Sequence, residues 1–192
     1  MNRISLIEDV LGYKTYRSSD IIKNQFKFIS DVEDSLDKIK AKFGIVDSTK
    51  FYSFYNIFNL TSGSIEFYNL LSDLKYIIKD YHKVDEPLWM QCWVNSHNPS
   101  GVLTRHNHIN CLSHGYISIR PHETNTVFDD YIIKNDIGKI YLGPSDRMHW
   151  VDVVENFDSK RITLGYDVFN QSNMLKLKQQ YGNDINISIM PI

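Results

Sequence analysis

Residues 89–169 read WMQCWVNSHNPSGVLTRHNHINCLSHGYISIRPHETNTVFDDYIIKNDIGKIYLGPSDRMHWVDVVENFDSKRITLGYDVF, and their pattern decides the fold. Short apolar runs (WMQCWVN, LTRHNH, GYISI, VFDDYII, KIYL, MHWVDVV, RITLGYDVF) alternate with turn chemistry such as HNPSG, RPHETNT, KNDIG, GPSD and ENFDSK. Runs of this length, bounded by Gly, Pro, Asn and Asp, are strands with brief connections. Several of them at this spacing predict an antiparallel sandwich or barrel.

Upstream of Pro87 the period changes from two to between three and four. Ser18-Ser19-Asp20 offers a helix cap, and Gly44 a stop after about Phe43. Ile22, Phe26, Ile29, Val32, Leu36, Ile39 and Phe43 form its apolar stripe. A second helix is predicted from about Ser64 to His82, with Ile65, Phe67, Leu70, Leu71, Leu74 and Ile77 or Ile78 on one face. The aromatic connection 51–60 has no assignable state. Two amphipathic helices alone leave their stripes uncovered. The expectation is therefore one α+β domain over 1–192: a helical part at about 18–83 packed on one outer face of a jelly-roll core (a double-stranded β-helix) at about 88–170.

The composition limits the function. A hydrophobic fraction of 42% and an aromatic fraction of 13% belong to a chain that builds a core. The formal net charge of −2 provides no basic footprint for nucleic acid. No apolar stretch is long enough to span a membrane. Glu8 and Asp9 interrupt the N-terminus where a signal peptide needs an apolar run, so the expected location is cytoplasmic. Cys92 and Cys111 have no metal spacing and are read as reduced structural thiols.

The chemistry concentrates in the histidines. His106-Asn107-His108 places two imidazoles on one face of a strand, and imidazole is the commonest ligand for Fe, Zn, Cu and Ni. An isolated pair of this kind is more often a polar, solvent-facing strand. His149, after a strand and a Pro-containing turn, can complete a facial set if the sheet brings it alongside. Farther on, Arg161 and Thr163 share one strand face while Ile162 and Leu164 share the other. If the apolar pair faces the core, a guanidinium points inward without a nearby acidic residue in sequence. A ligand carboxylate then suits its planar fork. If the strand faces outward, Arg161 is an ordinary surface arginine.

The run from Trp93 to about Phe169 resembles the small bacterial and phage 2-oxoglutarate/Fe(II) oxygenases. The resemblance rests on Trp93-Val94-Asn95, Gly101, His106-Asn107-His108, Leu112-Ser113-His114-Gly115-Tyr116, the segment Gly138 to His149, and Arg161-Ile162-Thr163. It implies Fe(II) on His106 and His149, and 2-oxoglutarate held at its distal carboxylate by Arg161 and Thr163. Tyr116 or Asn95 would line the co-substrate site. The implied reaction couples oxidative decarboxylation of 2-oxoglutarate to hydroxylation of a C–H bond in a small-molecule or peptide substrate. Three departures stand out. His108 occupies the position of the usual Asp or Glu ligand, His114 interrupts the L-S-G strand, and Gly165-Tyr166-Asp167 replaces a late S-F-N. His108 is then a third ligand, or a carboxylate such as Asp129 or Asp130 takes its place, or water does.

Gly138, Pro144, Asp146 and His149 also resemble the second cupin motif, although Cys111, Leu112 and Ser113 stand where the first motif ends in Glu. A three-histidine cupin binds metal without 2-oxoglutarate. A non-catalytic jelly roll that binds through an aromatic pocket is a third reading, and a zinc hydrolase a fourth. Ser96 to Ser100 and His122 to Asp130 are the expected substrate-facing segments, and they name no substrate.

Overall fold

The computed structural model describes residues 3–44, 49, 51–101, 103–181 and 188–192. The chain begins with a hairpin that the pattern does not announce: β1 (Ile4–Val10) pairs antiparallel with β2 (Tyr13–Ser18). Its two-residue loop, Leu11-Gly12, takes φ values of 53° and 84°. Positive φ at both positions is the geometry whose twist matches that of the flanking strands. β1 is an edge strand on which only Ile4 is buried, so it shows no alternation for a sequence reading to find.

The first predicted helix is two helices. Ser18 caps α1 (Ser19–Lys23), its hydroxyl accepting from the Ile21 N–H at 3.3 Å. Asn24 then leaves helical geometry, and α2 (Gln25–Phe43) follows, ending at Gly44 with φ 66°. The break shifts the start of the stripe. Val32 and Ile39 of the expected face are buried and Ile29 and Leu36 pack against the core, whereas Ile22, Phe26 and Phe43 are exposed and Ile21, Phe28 and Ser35 are buried instead. The aromatic connection forms a short 3-10 turn at Tyr52–Phe54 and α3 (Ile57–Leu60). Next comes α4 (Ile65–His82), capped by Ser64 as expected, with Phe67, Leu70, Leu74, Ile77 and Ile78 buried and Ile65 exposed.

The strands follow: β3 (Trp89–His97), β4 (Ser113–Arg120), β5 (Thr124–Phe128), β6 (Ile132–Lys134), β7 (Lys139–Pro144), β8 (His149–Val153) and β9 (Arg161–Phe169), then α5 (Gln171–Tyr181) and a short β10 (Met190–Pro191). They make two sheets, β1-β2-β7-β4-β9-β3-β10 and β6-β5-β8. Two details differ from expectation. VFDDYII divides into β5 and β6, and LTRHNH is a loop touching the sheet at one isolated bridge, His106 to His149.

The fold is a jelly roll with helices on one outer face. Val94, Ile117, Ile119, Ile162 and Leu164 of the large sheet share one hydrophobic cluster with Phe28 and Val32 of α2 and Leu74 and Ile78 of α4. Alternation sends the intervening residues of the same strands to the opposite face, toward the small sheet. Among the described residues no helix is long and apolar enough to cross a membrane.

Candidate metal and carboxylate site

On β9 the residues turned away from the helices are Arg161, Thr163, Gly165 and Asp167, and all four line one cavity of about 340 Å³. β3 and β4 flank β9, with Asn95 opposite Thr163 and Tyr116 opposite Gly165. Asn95 and Tyr116 line the same cavity, as do His106, His108 and His149. The absent side chain at Gly165 is a steric requirement, because a Cβ there would stand 2.8 Å from the Trp93 indole. That indole donates from Nε1 to Asn95 Oδ1 at 3.1 Å, which fixes the amide orientation.

The three histidines converge although His106 and His108 lie on a loop. His106 and His149 exchange backbone hydrogen bonds of 3.0 and 2.9 Å, and the His108 N–H donates to Ser145 O at 2.8 Å. One potential ligand atom from each imidazole lies within 4.8 Å of the others. Their ring centroids are 4.3, 5.1 and 5.4 Å apart. His106 Nδ1 faces the Thr104 carbonyl at 2.6 Å, and His149 Nδ1 faces the Arg147 carbonyl at 3.2 Å. A carbonyl accepts only from a protonated nitrogen, so Nε2 of each ring keeps its lone pair. This is the outer hydrogen bond that metal-ligating histidines usually make. Burial lowers the pKa of His106, and burial together with His106 brings His149 down to about 3. Both rings are therefore neutral at pH 7, the form a metal ion needs. The donor set fits a divalent transition metal.

His108 Nδ1 lies 2.8 Å from Asp167 Oδ1. Asp129 and Asp130, the carboxylates proposed from sequence, serve elsewhere. Asp129 pairs with Arg105, and Asp130 accepts from Tyr13 and pairs with Arg147. Sequence reading also passed over His114. It is 2% exposed and stacks at 4.6 Å on both His108 and His149, with Nε2 unpartnered. Burial holds its pKa well below the ordinary histidine value. A period-two reading of HGYIS places His114 on the face of Tyr116, and that was the available signal.

Arg161 is 2% exposed. One terminal nitrogen donates to Thr163 Oγ1 at 3.3 Å, and Nε has no partner. Burial lowers its pKa to about 10, which leaves it charged at neutral pH. The nearby Tyr116 hydroxyl is also unpartnered, and burial raises its pKa, so it remains a neutral donor. A buried cation without an anion is costly. The pair of unmet donors suits a ligand carboxylate.

No protein-family model matches the sequence, and no curated protein matches it. Solved structures do share its fold. The non-heme α-ketoglutarate-dependent carbocyclase SnoK from nogalamycin biosynthesis aligns over 83% of this chain and 79% of its own, with TM-score 0.60 and 11% identity. A Pseudomonas putida prolyl-4-hydroxylase aligns over 83% and 88%, with TM-score 0.54 and 8% identity. The α-ketoglutarate-dependent epimerase SnoN, also from nogalamycin biosynthesis, aligns over 83% and 78%, with TM-score 0.52 and 8% identity. At such identities the likeness is one of fold, and the chain has the jelly-roll fold of 2-oxoglutarate/Fe(II) oxygenases.

Proposed function

We propose that this protein is an Fe(II)- and 2-oxoglutarate-dependent oxygenase in which His106, His108 and His149 hold the metal. The observation that carries the reading is the buried Arg161 guanidinium, which has no acidic partner among the described residues and lines the same cavity as the three converging imidazoles. A metal site alone does not require that cation, whereas a dicarboxylate co-substrate would use it. When bound, iron and 2-oxoglutarate would supply, with O2 as the oxidant, decarboxylation of 2-oxoglutarate to succinate and CO2, one oxygen atom entering succinate and the other the hydroxylated C–H bond of the substrate. The protein's own part is recognition. Arg161 and Thr163 bind the distal carboxylate, the Tyr116 hydroxyl donates alongside, and Asn95, held by Trp93, shapes the wall. The jelly roll shields these contacts from water, which strengthens each of them.

The shared hydrophobic cluster of helices and strands supports a single domain. The substrate is read as a small molecule or peptide. The two free buried cysteines suit a cytoplasmic setting.

Anaerobic titration of metal-free protein with Fe(II) and then 2-oxoglutarate tests this reading by calorimetry and visible absorption. The expected result is 2-oxoglutarate binding that requires iron and weakens by about 2–5 kcal/mol in Arg161→Ala. Unchanged 2-oxoglutarate binding in that variant would sink the assignment of Arg161. Iron binding without 2-oxoglutarate binding would favour a second reading, the three-histidine cupin-type metalloenzyme. The absence of a carboxylate among the three converging ligand atoms favours that alternative.

A further inference from the structure

Three neutral imidazoles leave a divalent ion with its whole charge, where two imidazoles and a carboxylate would remove part of it. The histidine at position 108 is the residue responsible for that difference, and the structure surrounds it in a specific way. Its ring is nearly parallel to His114 of β4, at 8° and 4.6 Å, and lies 25° and 6.0 Å from Trp93 of β3. Those strands flank β9, so the imidazole stands over β9 between the two rings. Below it is Asp167, opposite His114 in the β4–β9 register. Oδ1 of Asp167 is 2.8 Å from His108 Nδ1, and both side chains are 14% exposed. Asp167 Oδ1 has no settled hydrogen-bond partner among the described residues, and the Cys111 thiol also lies beside the carboxylate.

We propose that Asp167 is a positioning residue of the metal centre. It accepts the Nδ1–H of His108 and gives the centre, through that ring, the carboxylate charge its ligands lack. The inference rests on the metal reading above. A carboxylate on the outer nitrogen fixes the tautomer and makes the ligating nitrogen more basic. The other two histidines donate only to backbone carbonyls, so His108 is the ring through which charge enters.

Fe(II) affinity, measured anaerobically by calorimetry on metal-free protein, tests this in four forms: the native protein, Asp167→Asn, His108→Asp and the double variant. The expected result for Asp167→Asn is a 10- to 100-fold loss of affinity at unchanged stoichiometry. In the His108→Asp background, which supplies a carboxylate directly, Asp167→Asn should cause no loss. That split separates action through His108 from a general structural role, and Asp167→Ser repeats it if the Asn form melts early. Native-like affinity in Asp167→Asn, or an equal loss in both backgrounds, would overturn the proposal while leaving the metal site intact. Failure of the native protein to bind Fe(II) would instead overturn the metal reading and this inference with it.

Discussion

A guanidinium sealed from water without a counter-ion weakens the fold that contains it, because desolvation is uncompensated until a ligand arrives. Arg161 → Met keeps much of the volume and removes that charge. Metal-free Arg161→Met is expected to unfold at higher urea concentration than the native protein, by about 1 kcal/mol or more in stability, and to lose 2-oxoglutarate binding. Lower stability would mean that the guanidinium is already satisfied in the free protein. Strand alternation put Arg161 and Thr163 on one face in the sequence without deciding whether that face is inward. It marked His106 and His149 as candidates without their convergence, which depends on a loop that exchanges backbone hydrogen bonds with β8. Asp167 lies on the same alternation as Arg161, but its importance depends on the β4–β9 register and on a loop folding back over β9. Neither can be read from the spacing of residues along the chain. His114 was hidden similarly, standing out in sequence only as an interruption of a motif and in the structure as a ring stacked on two others.

At the scale of elements, hydrophobic period located α4 correctly and caught the middle of the buried face of α2 (Ile29, Val32, Leu36 and Ile39) while missing its start. The cause is Asn24, whose backbone geometry (φ −114°, ψ 25°) ends one helix and restarts another, so Ile22 and Phe26 fall outside the buried face while Ile21 and Phe28 fall inside it. The two readings make opposite claims about neighbouring phenylalanines. Phe28 is fully buried against Phe67 at 5.2 Å between ring centroids, whereas Phe26 is 87% exposed. Phe28→Ala is expected to cost about 3–5 kcal/mol, and Phe26→Ala to stay within about 0.5 kcal/mol of native, both by denaturant unfolding. The reverse order would restore the stripe read from the sequence. The β1–β2 hairpin escaped detection for a different reason. An edge strand with a single buried residue has no pattern to detect, and its pairing with β7 is set by a chain segment more than a hundred residues away.

Across the whole molecule, the buried histidines couple folding to pH. In the unfolded chain each takes up a proton near pH 6.5, whereas His149 in the fold resists protonation down to about 3, and burial depresses His106 and His114 as well. Between those limits the unfolded state binds more protons, so stability present above pH 6.5 is lost as pH falls. Carboxylates titrate mainly below about pH 5, which leaves the interval from 7.5 to 5.5 to the imidazoles. Each ring that stays neutral in the fold contributes a slope approaching about 1.4 kcal/mol per pH unit at the low end of that interval. Urea unfolding of the metal-free protein should therefore show a clear loss of stability on going from pH 7.5 to 5.5. His114→Phe, which keeps an aromatic ring in the stack and removes the titrating group, should reduce that loss. Equal stability at the two pH values would mean that these imidazoles accept protons as readily in the fold as in water. Saturating Fe(II) should raise stability at both pH values without steepening the dependence at His149, because that ring is already neutral in the metal-free fold and releases no proton when the metal binds.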